Sequence, residues 1–255
     1  MANMHSLPQA DDLAVSSERV RQSRIDMAAA FRIAAHEQLH EGIDNHFSYA
    51  FGDGTFLVNR WGVHWSRMRA SDVLRIDHHG NVLEGKGTVE KTAFFIHEAV
   101  HRLCPHAVVI LHTHMPYATA LSCVEGGFNE TLSQNSLFFL NDVAYESFGG
   151  LANDHQEGER LAGNIGEKHV AILNNHGVMI MANTPGIAIH DLYFFERAAQ
   201  VQVLAQSQGK PLIKISQEVA EKTANQLILL DEDKETYFEV WKRMLDDTEP
   251  EYRSL

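Results

Sequence analysis

The stretch Val108-Val109-Ile110-Leu111-His112-Thr113-His114 decides how the rest of the chain is read. Four β-favouring apolar residues run directly into two histidines spaced by two, which predicts a buried strand. Alternate side chains of a strand share a face, so His112 and His114 are expected to point the same way. A second apolar run, Val170-Ala171-Ile172-Leu173, leads through Asn174 and Asn175 to His176 and Gly177. Three histidines brought from two strand ends are candidate ligands of a metal that keeps an open coordination position, as catalytic sites require. The plainer alternative is that they are hydrogen-bonded polar caps on core strands.

The surrounding chain is that of an ordinary soluble globular protein. Its 255 residues suffice for one large domain or two small ones. The net charge of −13 lacks the basic footprint that a nucleic-acid or anionic-membrane partner needs. Two cysteines, Cys104 and Cys123, are too few for a disulfide framework and fit a reducing compartment. No secretory signal is visible and no run approaches the ~18 apolar residues of a membrane span, so the cytoplasm is the expected location. Sixteen histidines favour metal or proton chemistry and also guarantee decoys.

Residues 1–16 are polar and aperiodic and are expected to be disordered, with residues 17–255 forming the folded unit. Met27, Phe31, Ala34, Ala35 and Leu39 recur at helical spacing. Residues 46–51 and 55–59 flank Gly52-Asp53-Gly54 and read as a hairpin. Another strand is predicted at 72–76, followed by a turn at 79–81. Residues 90–103 read as a helix stopped by Pro105, and Pro116 suits the first turn of the next one. Further helices are predicted at 136–147 and 156–164. The segment 171–182 reads as two strands around the Asn175-His176-Gly177 turn. Thr184-Pro185 then caps a long helix, and two C-terminal helices finish the chain. The pattern predicts a single α/β domain: a mostly antiparallel sheet covered by helices.

One motif competes with the strand histidines. His97-Glu98-Ala99-Val100-His101 spells H-E-x-x-H on a predicted helix, the arrangement in which zinc peptidases carry two ligands and a general base. The extended form fails, because Cys104 and Ala107 stand where it needs glycine and histidine. The match is therefore expected to be a surface-facing stripe. His36, His40, His78 and His79 are expected to be solvated or structural.

Taken in order, Phe56-Leu57-Val58-Asn59-Arg60-Trp61-Gly62, Ala70-Ser71-Asp72-Val73 and His79-Gly80-Asn81-Val82-Leu83-Glu84-Gly85 resemble the first half of the class II aldolase/adducin-head family. Glu90, the run His112 to Ser122 with Met115-Pro116-Tyr117 at its centre, and Asn174-Asn175-His176-Gly177 match its core motifs in order and spacing. The resemblance covers roughly residues 20–210. It implies a three-layer α/β/α domain and a divalent metal on His112, His114 and His176, zinc first, with manganese, iron(II) or cobalt as other candidates. It also implies a homotetramer, and a proton-transfer role for Glu90. A three-histidine set is neutral, so a bound cation keeps its Lewis acidity. Cleavage of a C–C bond beside a carbonyl leaves an enolate that such a cation stabilises by several kcal/mol.

The sugar-phosphate members of this family cradle phosphate with Gly-Asn, Thr-Gly and Ser-Ser pairs. Asn45-His46, Trp61-Gly62 and Thr88-Val89 stand at those places here. The substrate is therefore not expected to be a typical sugar phosphate. The Asn45-His46 form resembles the branch of the family that contains decarboxylases of hydroxy-aromatic acids, oxygenase relatives and adducin-like proteins. That resemblance implies first a lyase, by aldol cleavage or decarboxylation, on a small non-phosphorylated keto, hydroxy or aromatic acid. The candidate substrate-binding residues are Asn45, His46, Asn59, Arg60, Trp61, Gly62, Thr88 and Tyr117, with Arg60 suited to a carboxylate. Two other functions compete: an Fe(II)-dependent oxygenase on the same histidines, and a non-catalytic interaction module like the adducin head. Tyr237 and Tyr252 are candidates for the tyrosine that sugar-phosphate members draw from their C-terminal region.

Overall fold

The computed structural model describes residues 15–228 and 231–255. The expectation for residues 1–16 therefore falls almost wholly outside the described residues. Helix α1, Ser17–His36, is capped by the Ser16 hydroxyl, which accepts the Arg19 amide, and it buries Met27, Phe31 and Ala34. The hairpin β1 (His46–Ala50) and β2 (Thr55–Asn59) follows, then β3 (Val73–Asp77) and β4 (Val82–Glu84). Helix α2 (Lys91–Leu103) leads to β5 (Val109–Thr113), and Pro116 occupies the first position of the short helix α3 (Pro116–Ser122). Next come β6 (Val143–Glu146), α4 (His155–Ile165), β7 (Val170–Leu173), β8 (Gly177–Ala182), α5 (Pro185–Gln206), α6 (Gln217–Ile228) and α7 (Asp231–Thr248).

Among the described residues, eight strands form one sheet in the order β4-β3-β2-β1-β5-β8-β7-β6. Every neighbouring pair is antiparallel except β6 and β7, which run parallel. Strand alternation sorts the core into two layers. Val109 and Leu111 of β5, Val170 and Ile172 of β7, and Val178 and Ile180 of β8 pack in a cluster with Phe31 of α1 and with Leu192 and Phe195 of α5. The intervening Ile110, Ala171, Met179 and Met181 pack on the opposite face with Ile96 and Val100 of α2 and Leu161 of α4. The result is a helix–sheet–helix sandwich. Among the described residues, no helix is long and apolar enough to cross a membrane.

The structure corrects one predicted element. Residues 136–147 are not a helix. A 3-10 segment, Asn135–Phe139, is followed by a turn at Asn141, which holds a φ of 60°, and the chain then pairs as β6 along β7. The Ser136 hydroxyl bonds the backbone carbonyls of Glu130 and Ser133, which ties the start of this segment to the turn before it.

Candidate metal centre

His112 is the fourth residue of β5 and lies on the sheet face that carries α2 and α4, while His114 follows one pleat beyond the strand end. His176 comes from the β7–β8 turn, where Asn175 takes a positive φ of 59° and the His176 amide donates to the Leu173 carbonyl. Gly177 is required beside it by crowding. A Cβ there would lie 2.5 Å from the Thr113 carbonyl oxygen and 2.9 Å from the His114 ring. The turn thus closes directly onto the other two histidines. One ring nitrogen from each of the three lies within 4.8 Å of the others.

Hydrogen bonds to the outer nitrogens orient two of the rings. The Nδ1–H of His112 donates to the Val178 carbonyl at 2.9 Å, and the Nδ1–H of His114 donates to the Glu41 carboxylate at 2.6 Å. These are the partners that ligating histidines ordinarily have. Both Nε2 lone pairs are then turned inward, only 3.2 Å apart. Two such lone pairs repel unless a proton or a metal cation sits between them, and His176 supplies a third donor. Burial holds His112 well below the ordinary imidazole range, aided by the neighbouring histidines. Burial and then His114 lower His176 to about 4. Both donors are therefore neutral near pH 7, the form that binds metal. The residues present fit a divalent cation.

A cavity of about 260 Å³ opens on these histidines. Among the predicted site residues, His46, Trp61 and Glu90 line it together with the three histidines. Glu90 is the N-cap of α2, where its Oε2 accepts the Ala93 amide at 2.8 Å and the Thr92 hydroxyl. Burial opposes its ionisation, but these bonds outweigh burial and hold the carboxyl below its usual range. The helix-capping and proton-transfer roles are therefore compatible, and the group is a carboxylate at neutral pH.

The other predicted residues do not line this cavity. The Asn45 Oδ1 accepts the amides of Glu41 (2.7 Å) and His114 (3.3 Å), so it braces the backbone around the centre. Asn59 ties β1 to the loop before it through Phe47 and Asn45. Arg60 contacts Asp72 at 3.4 Å and lines a separate surface pocket with Arg67 and Arg69. Gly62 turns the chain at φ 85°, the Thr88 carbonyl accepts the Trp61 amide, and Tyr117 packs against the main core. The Tyr252 hydroxyl donates to Asp246, and Tyr237 packs with Phe194 and Trp241; neither lines the cavity.

Several cavity residues were not anticipated from sequence. Glu146 and Arg160 form a 2.8 Å ion pair at the wall, and Glu157 also binds Arg160. Oε1 of the buried Glu146 has no hydrogen-bond partner among the described residues. Phe148, Leu151 and Leu161 supply apolar wall. Nothing in the local sequence marked these residues, because the loop after β6 reaches the centre only through the β6–β7 pairing. The H-E-x-x-H expectation is also corrected: His97 is fully buried and Glu98 nearly so, and the motif lies against the sheet rather than facing solvent. His97 and His101 both turn to the Ser48 hydroxyl.

Residues 25–203 match the sequence profile of the family described as Class II Aldolase and Adducin N-terminal domain. The chain belongs to this family. Its class II aldolase and adducin relatives include a Pseudomonas aeruginosa protein assigned by name to aldolase class 2, PA3430, 34% identical over 84% of this chain and 83% of its own. An adducin-related protein of Schizosaccharomyces pombe, C1289.14, is 31% identical over 91% of this chain and 76% of its own. Decarboxylase NovR of Streptomyces niveus is 28% identical over 68% and 64%. Among solved structures, an aldolase II superfamily protein from Pseudomonas syringae superposes with a TM-score of 0.87 at 29% identity, covering 96% of this chain and all of the other. An L-fuculose 1-phosphate aldolase from Glaciozyma antarctica PI12 gives 0.79 at 25% identity, covering 98% and 97%.

Proposed function

We propose that this protein is a divalent-metal-dependent lyase that breaks a C–C bond beside a carbonyl, by aldol cleavage or decarboxylation, in a small non-phosphorylated keto, hydroxy or aromatic acid. The observation that carries the reading is the pair of inward Nε2 lone pairs, each held by an outer hydrogen bond, with His176 beside them and the Glu90 carboxylate on the same cavity. A divalent cation bound there would supply Lewis acidity for the negative charge that develops on a substrate oxygen. His112, His114 and His176 hold it, zinc being the expected ion. Glu90, kept ionised by Thr92 and Ala93, accepts or returns a proton at its carboxylate. Phe148, Leu151 and Leu161 exclude water from one side of the cavity.

The charge lining supports a non-phosphorylated substrate. Asp44, Glu90, Glu146 and Glu157 line the cavity, and the cation that lines it, Arg160, is already paired with Glu146 and Glu157. Among the described residues of that lining no free guanidinium is left for a phosphate dianion, and the carboxylate of an acid substrate would have to be held by the metal rather than by a side chain. The adducin-related relative favours a second reading, a non-catalytic binding module. The intact three-histidine set argues against it, since a scaffold gains nothing from an open metal position.

Metal analysis of the purified protein and of His112→Ala tests the proposal, followed by turnover of keto and hydroxy acids beside L-fuculose 1-phosphate. One divalent ion per chain, lost in the variant, supports the centre. Iron with oxygen uptake would replace the lyase by an oxygenase. Efficient cleavage of fuculose 1-phosphate would overturn the substrate class, and absence of metal after reconstitution would leave the binding module.

A further inference from the structure

Behind the metal centre lies a chain of polar groups with no part in the ligand set. His46 and Ser48 alternate along β1 and so share a sheet face, while His97 and His101 lie one turn apart on α2. The four side chains are joined in series. His101 Nδ1 lies 2.7 Å from the Ala107 carbonyl oxygen. His101 Nε2 lies 2.7 Å from Ser48 Oγ, which also bonds His97 Nδ1. His97 Nε2 lies 2.6 Å from His46 Nδ1. His46 pairs with His112 across β1 and β5, their rings 4.7 Å apart, and it lines the metal cavity.

The direction of every bond follows from the far end. A carbonyl can only accept, so the His101 proton is on Nδ1 and its Nε2 is bare. The Ser48 hydroxyl must then donate to His101 and accept from the Nδ1–H of His97. That leaves His97 Nε2 bare, to accept from the Nδ1–H of His46. Burial agrees with an uncharged chain: it lowers His101 to about 4 and holds His97 well below the usual imidazole range.

We propose that His97, Ser48 and His101 are positioning residues that lock His46 as the Nδ1–H tautomer and so present its bare Nε2 to the metal cavity as a hydrogen-bond acceptor. A ligand that offers a hydroxyl beside its metal-binding oxygen donates to that nitrogen, whereas a ligand with only acceptor oxygens meets a lone pair. The chain thus selects α-hydroxy over purely acceptor ligands, a selection that rests on the metal-centre reading above. The tautomers themselves do not depend on that reading.

Long-range ¹H–¹⁵N spectra of the histidine rings in the full-length protein at pH 7 test the relay. His46, His97 and His101 are expected to be Nδ1–H tautomers, against the Nε2–H form that free imidazole side chains prefer. An Nε2–H form of any of the three overturns the relay. Calorimetric binding of glycolate and oxalate to the zinc-loaded protein tests the role. Ser48→Ala is expected to weaken glycolate about tenfold and oxalate less than twofold, with Ser48→Thr restoring both the glycolate affinity and the spectra. Equal effects on the two ligands overturn the positioning role. If Ser48→Ala does not fold, His101→Phe removes the anchoring nitrogen at similar volume and is read the same way. Failure of the wild type to load zinc sinks the metal-centre reading and the ligand selection with it, and failure of glycolate to bind the zinc-loaded protein sinks the selection alone, while the spectra still decide the relay.

Discussion

Glu41 acts on the centre from outside it. Its carboxylate is largely in solvent, yet it accepts the Nδ1–H of His114 at 2.6 Å. Removing that acceptor frees the His114 ring to rotate and to change tautomer. Glu41→Ala is therefore expected to weaken zinc binding by roughly ten- to a hundredfold, measured by competition with a chromophoric chelator, with little change in the metal-free melting temperature. An unchanged affinity would show that the bond does not orient the ring. The three candidate ligands were legible because each stands where a buried run ends. Glu41 was not, since a charged residue between a helix and a strand carries no sign of the histidine it meets 73 positions away.

Helix α2 carries both the cap that meets the cavity and the histidines behind it. Glu90→Ala removes the N-cap and is expected to cost about 1 kcal/mol of stability. Glu90→Gln keeps an oxygen for the Ala93 amide but abolishes the proton acceptor. It is expected to melt near wild type while losing at least about a hundredfold in turnover. Equal turnover in Glu90→Gln and wild type would reduce Glu90 to a cap. The buried histidines give a pH dependence of definite sign. Burial, eased slightly by the Ala107 carbonyl, lowers His101 to about 4, and burial lowers His46 to about 3 against a raising influence of Glu90. An unfolded chain takes up these protons first, near pH 6.5. Stability is thus complete above about 6.5 and is lost as pH falls toward 4 and then 3. The metal-free melting temperature should fall through that window, and less steeply in His101→Phe. A flat profile from 7 to 4 would contradict the burial of this chain. The H-E-x-x-H run was legible as a helix, but whether its histidines faced solvent or the sheet depended on which side of α2 the strands occupy.

At the scale of the molecule, binding and stability are linked. A cation that joins β5 to the β7–β8 turn stabilises the folded state alone, by about 2.7 kcal/mol at a hundredfold excess over Kd. Zinc should raise the melting temperature, a chelator should reverse the rise, and His112→Ala should abolish it. A shift that persists in His112→Ala would place the ion elsewhere. The hairpin, the buried strands, the capped helices and the Asn-His-Gly turn were all written locally, in period-2 and period-3.6 patterns and in proline and glycine at turn positions. Those local signals, with the ordered family motifs, were enough for the α/β class and for naming the three histidines as candidates. Tertiary structure alone decided the rest. Residues 143–146 became a strand only because β7 offered a parallel edge to pair with. That pairing carried Glu146, Phe148 and Arg160 to the cavity wall. The same assembly turned Arg60 to a different surface and set His97 behind His46. Such outcomes depend on contacts between segments far apart in the chain, and side-chain direction at those contacts is set by how the layers pack.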